Sequence, residues 1–167
     1  MIIQDFKLYG GEHCETTALN HVLRYRGMEL SEDLLLGIGG GIGFIYWYMK
    51  QMPAPLVGGR SGGKDFNLID NAVRRIGGTA EILTTESAAK AYERLEDDLS
   101  LGKPAICYGD MAYLPYFDFD EDEHFGGHVF VVYGIDTESD EVLIADRAMK
   151  PCVITLEDLA RSRGSKF

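Results

Sequence analysis

"HVFVVYGIDTESDEVLIADRA", residues 128–148, decides the fold class. Two apolar runs, HVFVVYGID and EVLIADRA, flank the polar turn TESD, the pattern of a β-hairpin with both strands buried. Just upstream, PAICYG (104–109) reads as a short buried strand. Downstream, PCVITLEDLA (151–160) reads as a strand that enters a last helix at Leu156. The first hundred residues have the other period. Residues 14–26 place Ala18, Leu19, Val22, Leu23 and Tyr25 on one helical stripe, with Gly27 as the stop. Ser31 opens a short helix with Glu32 and Asp33 in its first turn and three leucines behind. A helix is expected over 65–77, from Asp65 through Ile69 and Val73 to Gly77. SAAKAYERLEDDLSLGK (87–103) sets Ala88, Tyr92, Leu95 and Leu99 on one face, and TAEILTT (79–85) reads as a strand. Helices first and antiparallel strands last is an α+β pattern, not an alternating βαβ one.

Composition bounds the function. A chain of 167 residues, 46% apolar and 26% charged, fits one soluble domain over 1–167 with enough interior to fold unaided. No apolar run approaches the ~20 residues of a membrane span. MIIQDFKLYGG lacks the basic and apolar regions of a secretory signal. Three cysteines, an odd number, point away from a disulfide framework and towards a reducing cytoplasm. Their spacing matches no zinc pattern, so neither metal nor cofactor is expected. A net charge of −11 repels phosphate backbones and anionic lipid, which disfavours nucleic acid and membrane as partners. The oligomeric state is not legible.

The candidate chemistry starts at "YGGEHCETTALNHVLRYRG", residues 9–27. Cys14 sits where two glycines run out and the first helix begins. Ser, Thr, Asp or Asn normally cap such an end. A thiol caps poorly, but the partial positive charge of a helix start favours its thiolate. A buried structural cysteine is the plainer alternative. A cysteine nucleophile needs a base and a group that orients it. His128 stands at the mouth of an apolar strand after FGG, and Asp146 closes the next apolar run. Pairing through TESD would set the two side by side. His21, seven residues after Cys14, competes for the base role but lies two turns deeper.

Other motifs are weaker. GGRSGGKD (58–65) matches GxxxxGK but ends in Asp where a magnesium-binding Ser or Thr belongs, and no buried strand precedes it. It is read as a substrate-facing loop or a plain turn. GIGGGIG (37–43) lacks the dinucleotide spacing; Gly39, Gly40 and Gly41 either let backbone approach the cysteine or pack tightly. Asp118, Asp120 and Asp122 alternate like a calcium loop, yet Glu123 replaces the required glycine and Val129 the final glutamate. A solvated acidic loop is the better reading, although its place just before His128 would also suit a cationic, amine-bearing molecule near the site. Neutralising it should then raise the KM for amines, and an unchanged KM would remove the idea. Cys107 and Cys152 lie in strand-like runs and are expected in the core.

The order of helix-borne Cys14, GGHVFVVYGID and VLIADRA resembles the papain-like group typified by double-glycine peptidase domains. More closely, GGEHCETTALNHVLRYRGMELSEDLLLGIGGGIGF and YGDMAYLPYF…HFGGHVFVVYGID resemble the N-terminal domain of the butirosin-biosynthesis acyltransferase family, over nearly the whole chain. The resemblance implies a papain-like α+β fold with Cys14 as nucleophile, His128 as base and Asp146 as orienter. It also implies acyl transfer from a thioester, of carrier-protein or coenzyme A type, to a small-molecule amine. Relatives usually carry a second domain, and this chain stops at ARSRGSKF: either a C-terminal domain is missing or the function needs only this half. The peptidases place an oxyanion-hole glutamine six residues before the cysteine, where this chain has Leu8. The donors then considered are the Cys14 backbone N–H with His13 or Gln4, and Gly39, Gly40, Gly41 and Tyr113 are further substrate-side candidates. A cysteine hydrolase (amidase, thioesterase or peptidase) using the same three residues is the second reading. A catalytically silent binding module is the third.

Overall fold

The expected hairpin forms the middle of a four-stranded antiparallel sheet in the order β3-β4-β5-β6, with β3 over Ala105–Gly109, β4 over His128–Asp136, β5 over Glu141–Ala145 and β6 over Cys152–Ile154. This computed structural model describes residues 1–50, 52–62, 66–119, 123–125 and 127–166. The described residues form two units, 1–29 together with 83–167, and 30–82.

In the first unit β4 is buried from His128 to Ile135, because helices lie against it and β3 and β5 flank it. The hairpin turn closes with Asp140 at φ 55°, a left-handed conformation that Asp tolerates. Val132 faces Ile144 but Gly134 faces Leu143, so Tyr133 is an extra residue that bulges β4. The N-terminal segment bonds to the bulge, with Ile3 N–H donating to the Tyr133 carbonyl at 3.0 Å and Ile2 bridging Gly134. A Cβ on Gly134 would come within 3.2 Å of both Ile2 and Leu143, hence the glycine.

The helix α1 (Cys14–Tyr25) packs on β4. Ala18, Leu19 and Leu23 of its expected stripe are buried, whereas Val22 is half-buried and Tyr25 exposed. The helices α4 (Ala88–Ser100) and α5 (Leu156–Gly164) pack against β3. Ser87 caps α4, and Thr155 and Asp158 form a reciprocal capping box at the start of α5. Buried Leu95, Leu99 and Leu159 face the core.

The second unit holds α2 (Glu32–Ile38), α3 (Leu68–Arg75) and a two-stranded antiparallel sheet of β1 (Ile42–Trp47) and β2 (Leu56–Arg60). Ser31 caps α2 as expected, accepting from Leu34 N–H at 3.2 Å. The third helix begins at Leu68, capped by Asn67, rather than at Asp65. Gly39 and Gly41 sit where α2 meets α3: a Cβ on Gly39 would lie 2.8 Å from Leu68 Cγ, and one on Gly41 within 2.7 Å of Leu68 Cδ1. Gly40 has φ +71°.

Two expectations are corrected. TAEILTT forms no strand; residues 79–85 are irregular and almost wholly exposed, and among the described residues no strand pairs with them. Gly58, Gly59 and Arg60 are strand residues of β2, not a loop or turn, while Gly63, Lys64 and Asp65 lie outside the described residues. The calcium-like run lies partly outside them too, at residues 120–122. The α+β reading holds: the described residues form five helices and antiparallel sheets. Among the described residues no helix is long and apolar enough to cross a membrane.

Candidate active site

Cys14 is the first residue of α1, and the chain reaches it along a tethered approach. Tyr9 N–H donates to His21 Nε2 at 3.1 Å, and Gly11 N–H donates to the Arg147 carbonyl at 3.0 Å. Gly10 lies so close to Met149 that a Cβ would sit 3.2 Å from its Cγ. The glycine pair before Cys14 therefore lets the approach run beside the segment that follows Asp146. His21, the competing base, is 1% exposed and has both ring nitrogens engaged, with Nδ1 at 2.9 Å from the Thr17 carbonyl. It anchors the approach to α1.

The strand register explains how His128 and Asp146 meet. Val131 faces Ala145, so Asp146 lies beyond the ladder opposite Phe130, on the diagonal from His128. Residues 128 and 130 share a face of the sheet. His128 Nε2 and Asp146 Oδ2 stand 2.6 Å apart, and the two side chains are 3% and 5% exposed. The half-buried thiol of Cys14 lies near enough to the His128 ring and to the Val129 backbone N–H for both to favour its thiolate. With Nε2 committed to Asp146, Nδ1 is the nitrogen left for the thiol.

These contacts shift all three groups towards their charged forms. Burial opposes ionisation of Cys14, but the hydrogen bond and positive charge of His128, with the Val129 N–H, outweigh it and hold the thiol below its ordinary range. Burial likewise opposes a charged His128, yet Asp146 and Cys14 raise it above the usual imidazole value. Asp146, disfavoured as an anion by burial, is nevertheless lowered by His128, Arg147 N–H and Tyr116. A thiolate–imidazolium pair backed by a carboxylate can attack an acyl carbon and pass a proton. Cys107 and Cys152 differ: both are buried, and burial raises their thiols.

The other candidates lie as follows. His13 caps α1 with extended backbone, its Nδ1 3.1 Å from Thr16 Oγ1 and its Nε2 3.6 Å from Glu15. Gln4 is exposed and donates to the Ile2 carbonyl at 3.4 Å. Tyr113, in a 3-10 turn over Met111–Tyr113, lies under the Arg161 guanidinium at 4.5 Å. Gly39, Gly40 and Gly41 belong to the second unit.

Sequence reasoning missed three residues near His128. Tyr116 donates to Asp146 Oδ2 at 3.1 Å, and Phe117 meets the His128 ring edge-on, centroids 5.1 Å apart at 88°. Asp110, fully buried after β3, holds the base of the segment that carries both. Its carboxylate accepts from Phe125 N–H, Ala112 N–H and Ser165 Oγ, at 2.9, 3.1 and 2.7 Å, and stands 2.7 Å from His124 Nδ1.

Neither the curated proteins nor the solved structures compared with this sequence include a match to it. A comparison with protein families matches residues 13–147 to the family described as Butirosin biosynthesis protein H, N-terminal. The matched stretch opens at the cap of α1 and closes one residue after Asp146, enclosing Cys14, His128 and Asp146. The chain belongs to the butirosin biosynthesis protein H N-terminal family.

Proposed function

We propose that this protein is a cysteine-dependent acyltransferase of papain-like architecture, which takes an acyl group from a thioester and gives it to an amine. The observation that carries the reading is the Cys14–His128–Asp146 relay, with its lowered thiol at the start of a helix. The Cys14 thiolate attacks the thioester carbonyl carbon. As the donor's C–S bond breaks, the His128 imidazolium gives its proton to the departing thiolate. The acyl group is then joined to Cys14 Sγ and His128 is neutral. An amine attacks the same carbon, His128 takes the proton it sheds, and the Cys14–acyl bond breaks to restore the ion pair. The Cys14 backbone N–H, in the first turn of α1, would donate to the carbonyl oxygen through the tetrahedral stage.

A thioester donor fits this machinery because its leaving thiolate needs little help, and an amine acceptor needs the base that His128 becomes. The donor would be a coenzyme A or carrier-protein thioester, and the acceptor a small molecule.

Incubation with an activated acyl thioester, read by intact mass and peptide mapping, should add one acyl group at Cys14. Adding amines should discharge it as amide. Discharge to free acid in the presence of amines would make the protein a hydrolase. Absence of any acyl-enzyme across a panel of thioesters would favour a silent binding module.

A further inference from the structure

The Asp146 carboxylate holds more donors than orienting His128 requires. Oδ2 receives both His128 Nε2, at 2.6 Å, and the Tyr116 hydroxyl, at 3.1 Å. Oδ1 receives Arg147 N–H at 2.8 Å, with Arg147 Nε at 3.7 Å. Tyr116 reaches this oxygen from the segment between the 3-10 turn and β4, where Phe117 stands edge-on to His128 and Arg147 lies over Phe117 at 5.7 Å.

We propose that Tyr116 is a positioning residue that sets the basicity of His128 by sharing Asp146 Oδ2 with it. The proposal deepens the acyl-transfer reading and takes its purpose from it. Two donors on one oxygen compete for the same electron density, so the phenol limits how tightly the carboxylate holds the imidazolium proton. That limit matters because His128 must release its proton in one half of the cycle and accept one in the other. Without the phenol, Asp146 would grip the proton harder and His128 would become a poorer donor to the leaving group.

Burial and the Asp146 charge hold Tyr116 in its protonated form, so it stays a donor. The other groups around the pair are Cys14 with Glu15 on α1, Arg147 after β5 and Cys152 on β6. None of them donates a side-chain hydrogen bond to Oδ2 among the described residues, which leaves that role to Tyr116.

The test is a nitrogen-15 NMR titration of the His128 ring in substrate-free protein, with the signal assigned by its loss in His128→Ala. Tyr116→Phe keeps the ring and removes one hydrogen bond to a charged group, and should raise the His128 pKa by about one unit. Replacing tyrosine with 3-fluorotyrosine, a stronger donor of nearly the same shape, should lower it. In an Asp146→Asn background the Tyr116→Phe effect should vanish. A role confined to packing would move thermal stability without these opposite shifts. An unchanged His128 titration in both tyrosine variants, or an equal shift without the carboxylate, would overturn the proposal. Since no substrate is present, this outcome is independent of whether Cys14 can be acylated.

Discussion

Replacing His128 with alanine is expected to slow alkylation of Cys14 at pH 7 by roughly ten- to a hundredfold. The sign follows from the opposing influences on the thiol. His128 is the main influence that brings it below its ordinary range; once the imidazole is gone, burial and Glu15 are opposed only by the Val129 N–H, and the thiol rises. Fewer molecules then carry a thiolate at neutral pH, and the alkylation profile moves to higher pH. Acyl transfer should fall further, by about a thousandfold or more, because the variant also lacks the group proposed to move protons in both half-reactions. Mass-spectrometric alkylation rates against pH, with Cys107 and Cys152 as internal controls, read the first effect. If Cys14 in the wild-type protein reacts no faster than those buried thiols, the activated thiolate is wrong. An unchanged rate in His128→Ala would remove His128 as its cause.

Asp110→Ala should destabilise the protein by about 3 kcal/mol, as removal of the hub of a buried polar network does. The carboxylate meets two backbone N–H groups, a serine hydroxyl and a histidine ring, and the Asp110 carbonyl accepts from Ser162 Oγ at 2.9 Å. Burial works against its charge, but the donors outweigh it and lower its pKa to about 2. A carboxyl lowered on folding stabilises at pH above its unfolded value of about 3.9. That contribution disappears as pH falls towards 2. Asp110→Asn should therefore flatten the part of the acid limb that Asp110 supplies. Denaturant melts between pH 2 and pH 5 would show it, and parallel wild-type and variant curves would refute the assignment. Because the same residue fixes the stem of the segment bearing Tyr116 and Phe117, Asp110→Ala should also change the His128 titration.

What the sequence made legible follows from where the physics is local. The stripe Ala18–Leu19–Leu23, the cap Ser31 and the long apolar run of β4 all carry their instructions within a few residues. The pairing of His128 with Asp146 was legible because a four-residue turn leaves few registers. The β1–β2 pair was not, since Phe44, Tyr46 and Val57 are exposed and no apolar-in, polar-out alternation marks its faces. TAEILTT misled in the other direction: strand-favouring side chains do not make a strand without a partner. Asp110 was findable by the logic that picked out Asp146, because it too is an acid closing an apolar run, PAICYG. Tyr116 and Phe117 lie in a segment without periodicity, and only its fold towards β4 and Asp146 gives them a role.

The interruption of the first unit by residues 30–82 also bears on the order of events during synthesis. The ribosome delivers α1, with Cys14 at its head, long before β4 and Asp146 exist. Until they emerge the thiol lacks the His128 imidazole, and the helix has no sheet to cover its apolar stripe. A nascent chain would thus carry an ordinary thiol to any electrophile it meets. On the proposed reading, reactivity is expected only when the late-made strands close over the early-made helix. The same event that completes the core would then arm the cysteine.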